Sequence, residues 1–241
     1  SGQGAQKVGM GKDLYDQYSV AKALIEQADK ALGESLSAVM FEGPGEELTR
    51  TCNCQPALYV HGLACLAVLK ELVPSLNPVA AAGLSLGEFT AHAAAGTYSF
   101  EEGLRLVQKR GAFMEEACNA TKGTMAAMIG GTDENVIKLA QECDVDVANF
   151  NCPGQTVVSG TEEGVAKAVA GAKAAGCKIA KKLNVAGAYH SRLMHSAMVK
   201  LAEELKNISF GTPSMPVYCN YEARVVEGPD DIRSMLEHQV C

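Results

Sequence analysis

The chain has 241 residues, 47% of them hydrophobic and 20% charged, with a net charge of −7 and no tryptophan. That length buries a real core and suits one domain of moderate size, or a large domain carrying a smaller insertion. The dispersed acidic balance argues against nucleic acid as a partner, and with no apolar run of about 18 residues and no signal-peptide pattern, neither a membrane span nor secretion is expected.

Residues 1–11, "SGQGAQKVGMG", are Gly-rich and polar and predict a loop. The chain opens on this turn and stops at "LEHQVC" within a helical pattern, so further residues are expected on both sides. Leu14, Tyr18, Ala21, Leu24, Ile25 and Ala28 recur at helical spacing and predict one helix over 12–32. "FEGPGEEL", 41–48, is a turn entering a helix, and 55–72 is a long apolar helix ended by Pro74. "NPVAAAGLS", 77–85, reads as a buried parallel strand. A helix over 87–96 follows, closed by Gly96. Another over 99–119 opens with Ser99 and Glu102 as a capping box.

The composition then changes. Strands are predicted over 124–129, 146–151, 155–160 and 177–185, with helices over 133–143 and 161–176. Strand-helix-strand-strand-helix-strand is the split βαβ order. Residues 124–187 are therefore expected to form a compact insertion, with 1–123 and 188–241 making one α/β core.

The chemistry starts at "GLSLGE", 83–88. Gly83, Ser85 and Gly87 fit a strand-to-helix elbow, in which glycines let the chains approach and the serine sits at a helix N-terminus. Backbone N–H groups there can hold an oxyanion, and that of Leu86 is the obvious donor. The bland reading, a helix cap, is weaker because an apolar strand precedes the motif and a helix follows it. A serine hydroxyl needs a base. His61 sits in an apolar helix, His92 on the helix after Ser85, and His238 near the end. His190 and His195 share "GAYHSRLMHSAM", and the element boundary favours His190 over His195. No HGGG oxyanion loop is present, and the acids Asp133, Asp144 and Asp146 lie inside the insertion. A backbone or amide carbonyl can orient the histidine instead, since the third member mainly fixes tautomer and orientation. The nine cysteines are odd in number and scattered, as in a reduced cytosolic protein. The one close pair, Cys52 and Cys54, has no second pair or adjacent histidine, so no metal is expected.

"GQGAQ" (2–6), "QPALYV" (55–60), "GLSLGE" (83–88), "RGAFM" (110–114), "NFNCPGQTVVSG" (149–160) and "GAYHSRLM" (187–194) stand in the order seen in malonyl-CoA:acyl carrier protein transacylases, which the whole chain resembles. The resemblance implies an α/β-hydrolase-like core with a parallel sheet, plus a ferredoxin-like (βαββαβ) subdomain. By position it makes Ser85 the acyl-accepting nucleophile and His190 its base. The backbone N–H groups of Gln3 and Leu86 form the oxyanion hole, and the backbone carbonyl of Gln239 orients the histidine. Arg110, otherwise an ordinary surface arginine of an amphipathic helix, becomes the fork for the malonyl carboxylate; Arg105 lies off that face. Tyr189, aromatic just before the histidine, favours malonyl over a branched acyl group. Leu84 and Glu115 depart from the family habit of histidine and glutamine, and Glu115 stands to compete for Arg110.

The implied reaction is ping-pong transfer of malonyl from malonyl-CoA, through malonyl-Ser85, to the phosphopantetheine thiol of acyl carrier protein, in fatty acid biosynthesis. No bound cofactor is implied; the expected protein is a cytoplasmic monomer, or an organellar one if eukaryotic. The alternatives are the acyltransferase domain of a polyketide-type synthase, a serine thioesterase or esterase, and a silent docking module for acyl carrier protein.

Overall fold

Apolar residues every three or four positions make residues 12–72 largely helical. In the computed structural model, which describes residues 2–241, they form α1 (Lys12–Gln17), α2 (Ser19–Leu32), α3 (Leu36–Glu42), α4 (Gly45–Thr49) and α5 (Thr51–Leu72). The single helix expected over 12–32 is broken at Tyr18, whose backbone is extended (φ −127°, ψ 119°). The break re-aims α2, so that Ala21 packs on Ala64 and Val68 of α5, with Leu14 and Tyr18 against the same cluster. No helix was expected over 36–42; α3 forms there because Leu36 and Met40 are both buried. By length and composition α5 is apolar enough to cross a membrane, but it is a core helix here, with 56% of its most apolar window buried.

The chain divides into two compact units, residues 1–112 with 201–239, and residues 113–200 with 240–241. The expected boundaries were 123/124 and 187/188.

In the first unit, the strand expected over 77–85 shrinks to β1 (Ala81–Ala82), which runs parallel to β6 (Val217–Tyr218). The segment is also not buried: Val79 is 85% exposed. Pro78 has no N–H to give to a ladder, so pairing begins only at Ala81, whose N–H donates to Pro216 (2.8 Å). After β1 come α6 (Leu86–Ala94) and α7 (Phe100–Ala120). Gly96 follows α6 at φ 74°, a left-handed turn that glycine adopts without penalty. The capping box opens α7. Ser99 Oγ accepts the Glu102 N–H (3.2 Å), and Glu102 Oε2 accepts the Ser99 N–H (3.1 Å).

The second unit contains β2 (Gly123–Ile129), α8 (Asp133–Glu142), β3 (Asp146–Cys152), β4 (Gln155–Thr161), α9 (Glu162–Gly171) and β5 (Ile179–Lys182). The strands form one antiparallel sheet in the order β3-β4-β2-β5, the split βαβ topology. Alternation along β2 sends Ala126 and Met128 inward against Val136 and Leu139 of α8 and Val165 and Ala168 of α9. Thr132 and Thr161 cap the two helices, accepting the N–H groups of Asn135 and Gly164. The unit reaches past the expected insertion because the last turns of α7 and the first of α10 (His195–Lys206) pack with it. Gly187 lies flat on Cys118, where any side chain would overlap the thiol, and Lys200 pairs with Glu116 (2.6 Å). The remaining helix, α11 (Pro229–His238), belongs to the first unit.

Candidate active site

Ser85 stands between β1 and α6, at φ 52° and ψ −110°, a conformation that L-residues avoid. The two glycines of the motif explain how the chain holds it. A Cβ on Gly83 would overlap the backbone of Gly87, so the strand end lies directly on the first helical turn. Gly83→Ala is therefore expected to destabilise the protein by about 2 kcal/mol or more. A urea unfolding midpoint equal to wild type would refute the close-approach argument.

Asn220 fixes the elbow from the loop after β6: its Oδ1 accepts the Ser85 N–H (2.5 Å). The adjacent Leu86 N–H opens α6 and makes no hydrogen bond among the described residues, as an oxyanion donor requires. The 2–6 turn comes to the same place, with Gly2 close to the Leu84 carbonyl. Gln3 is exposed in that turn, and the Leu84 side chain is 49% exposed.

Arg110 is not a surface arginine; it is 1% exposed. Gly111 lets α7 lie against the backbone of Thr51 and Cys52 at the start of α5, which brings Arg110 to Gln55. Its guanidinium donates from Nη1 to Gln55 Oε1 (2.7 Å) and from Nη2 to Gln239 Oε1 (2.8 Å) and Ser85 Oγ (2.9 Å), and it lies over the Phe89 ring (5.1 Å). The oxygens on both prongs hold the fork rigid, a planar donor set that matches a carboxylate. Arg105 is exposed, as its position off that face implies.

Gln239 follows α11, and its side chain has a part that the sequence did not suggest. Nε2 donates to Glu88 Oε2 (2.7 Å) and to the Ser85 carbonyl (3.2 Å). Glu88 Oε2 also accepts the Asn220 N–H (3.0 Å). Glu88 and His92, one turn apart on α6, are both fully buried. Burial pushes the Glu88 carboxyl up to about 7 and the His92 imidazole down to about 4.

In the second unit, His190 is buried in the loop before a 3-10 turn (Arg192–Met194) and also has positive φ (55°). Ser191 builds this loop by donating Oγ–H to the Ala188 carbonyl (2.7 Å) and accepting the Leu193 N–H. Arg192 ties it to β3: its backbone N–H (2.8 Å) and guanidinium both reach Asp146, and Nη1 reaches Asp144. Buried Tyr189 hydrogen-bonds Cys118, whose thiol burial pushes upward. His195 and His238 are exposed, and His61 is half-buried.

The acyl transferase domain family matches residues 1–237. The chain belongs to the acyltransferase family. This acyltransferase is 43% identical to the malonyl CoA-acyl carrier protein transacylase of Bacillus subtilis, over 99% of its own length and 76% of that protein's. It is 40% identical to the Escherichia coli K12 protein of the same name, over 99% and 78%. The transacylase structure from Coxiella burnetii superposes with a TM-score of 0.95 at 36% identity, covering 99% of this chain and 77% of that one. A structure of a type II polyketide acyl-carrier protein in complex with its malonyl-transacylase superposes with a TM-score of 0.94 at 37% identity, over 99% and 78%.

Of the residues singled out from sequence, the first unit of the acyltransferase brings together Ser85, Leu86, Arg110 and Gln239, with the Gln3 turn beside them; His190 belongs to the second unit. Sequence reasoning assigned no role to Gln55, Glu88 or Asn220. A signal existed for one of them: Glu88 and His92 are the two titratable residues, four apart, on a largely apolar α6. Asn220 carries no motif.

Proposed function

We propose that this acyltransferase moves malonyl from malonyl-CoA to the phosphopantetheine thiol of acyl carrier protein, in fatty acid biosynthesis. The observation that carries the reading is a buried Arg110 whose Nη2 sits 2.9 Å from Ser85 Oγ. A fixed guanidinium beside the nucleophile selects an acyl group that bears its own carboxylate. A malonyl carboxylate gains the charge-assisted bonds of that fork, and an acetyl group gains none of them.

The reaction is ping-pong. His190 takes the Ser85 proton, and Oγ attacks the thioester carbonyl. The N–H groups of Leu86 and Gln3 hold the oxyanion. The backbone carbonyl of Gln239 keeps His190 in the accepting tautomer. CoA leaves as its thiol, and Arg110 retains the malonyl carboxylate. The carrier thiol then attacks malonyl-Ser85, returning the proton through His190. Tyr189 crowds an α-branch and favours malonyl over bulkier acyl groups. The complex named above, of a carrier protein with its malonyl-transacylase, supports the acceptor.

Incubation with malonyl-CoA, without an acceptor, is expected to add one malonyl mass to the Ser85 peptide. No adduct, or equal labelling by acetyl-CoA, overturns the reading.

A further inference from the structure

Beneath the elbow lies a pair of groups that the reaction above does not use. Glu88 Oε1 and His92 Nε2 are both buried, neither has a hydrogen-bond partner among the described residues, and they face each other at 4.0 Å. Their other atoms are committed. Glu88 Oε2 accepts from Asn220 and Gln239, and His92 Nδ1 meets Thr97 Oγ1 (3.2 Å). At 4.0 Å the two are too far apart for a hydrogen bond, and a proton on Oε1 would instead remove a buried negative charge that no donor among the described residues meets on that side. Without it, Glu88 is a buried carboxylate linked to Arg110 through a single amide, that of Gln239.

We propose that Glu88 is a positioning residue that serves as the resting counter-charge of Arg110, and that it takes up a proton on Oε1, the oxygen facing His92, when the malonyl carboxylate arrives. The proposal rests on Arg110 as the carboxylate site. The step balances simply: one proton passes from solvent to Oε1 on binding and returns when malonyl leaves. Glu88 thereby keeps its bonds to Asn220 and Gln239, so the elbow and the fork hold their places while the negative charge changes owner.

Among the described residues, the charged and titratable groups seen to bear on Glu88 are His92 on its own helix, Arg110 on α7 and Tyr98 on the connection between them. Burial keeps Tyr98 neutral, and likewise Tyr59 on α5. Asn220 and Gln239 contribute uncharged amides. Burial favours the neutral carboxyl and the Arg110 charge opposes it, which sets Glu88 at about 7. An anion on Arg110 weakens the opposing influence, so binding draws a proton in.

The test is calorimetric titration of the Ser85→Ala protein, which binds without turnover, in buffers of different ionisation enthalpy. Malonyl-CoA is expected to bring net uptake approaching about one proton per site near pH 8, and acetyl-CoA none. In Ser85→Ala/Glu88→Gln the uptake should vanish and malonyl affinity should lose its decline above about pH 7. Each unit of pKa change at Glu88 between free and loaded protein corresponds to about a tenfold change in affinity. Malonyl preference without proton uptake, or the same uptake in the Ser85→Ala/Glu88→Gln protein, overturns the proposal alone. No preference for malonyl over acetyl overturns the Arg110 reading, and this proposal with it. Because the uptake is read first with Glu88 intact, a poorly folded Glu88→Gln protein does not shield the proposal.

Discussion

Replacing His190 with alanine is expected to slow formation of malonyl-Ser85 by roughly 10⁴-fold or more, with malonyl-CoA affinity little changed. General-base assistance is worth about 10²–10⁴, and removing a base that works as a unit with its nucleophile costs more. A serine hydroxyl cannot attack a thioester at useful rates while it keeps its proton. Arg110 stays in place in the variant, since its bonds to Gln55, Gln239 and Ser85 do not involve the histidine. The loss should therefore appear in the rate of acylation and not in binding. Single-turnover quenching with labelled malonyl-CoA separates the two. The matched control is His195→Ala, since His195 is exposed and begins α10; it should fall within about twofold of wild type. A large loss there and a small one at His190 would exchange their roles.

Arg110→Ala is expected to cost about 3–5 kcal/mol in malonyl transfer, a drop of roughly 10²–10³ or more in kcat/KM. The difficulty is that Arg110 is also structural. Its removal leaves Gln55 Oε1, Gln239 Oε1 and Ser85 Oγ without a donor they now use, and empties the space over Phe89. The informative number is thus the ratio of malonyl to acetyl transfer within each protein. General disturbance of the site affects both substrates, whereas loss of the carboxylate fork affects only malonyl. The ratio should fall to about one in Arg110→Ala and lie between in Arg110→Lys, which keeps the charge and loses the two-pronged geometry. An Arg110→Ala protein that kept its malonyl preference would refute the assignment.

Features written in a few neighbouring residues were legible in the sequence. The Ser99–Glu102 box closes within one turn, Gly96 ends its helix by its own backbone freedom, and the four strands and two helices of the second unit follow local periodicity. Features made by distant partners were not. The break at Tyr18 exists because α2 must meet Ala64 and Val68. The shortness of β1 follows from its pairing with a strand 136 residues away (Ala81 with Val217). The same holds at the site. "GLSLGE" suggested a strand-to-helix elbow, but whether Arg110 was surface or buried beside it turned on Gly111 meeting Thr51 across two helices. Gln239 was singled out for its backbone, while its side chain proves to join Arg110 and Glu88, 129 and 151 residues before it in the chain.

Ser85 and His190 share one property: each has a positive φ, 52° and 55°. Conformations of this kind cost on the order of 1–3 kcal/mol apiece and persist only while their surroundings insist on them. At Ser85 the insistence comes from Asn220 and from Gly83 pressed on Gly87; at His190 it comes from the Ser191 turn and the Arg192–Asp146 clamp. The two residues proposed above as nucleophile and base are thus those with the most to gain by relaxing. Warming or mild denaturant that loosens these anchors would silence the enzyme while its helices and sheet remain folded. Its working range is accordingly expected to be narrower than its melting curve.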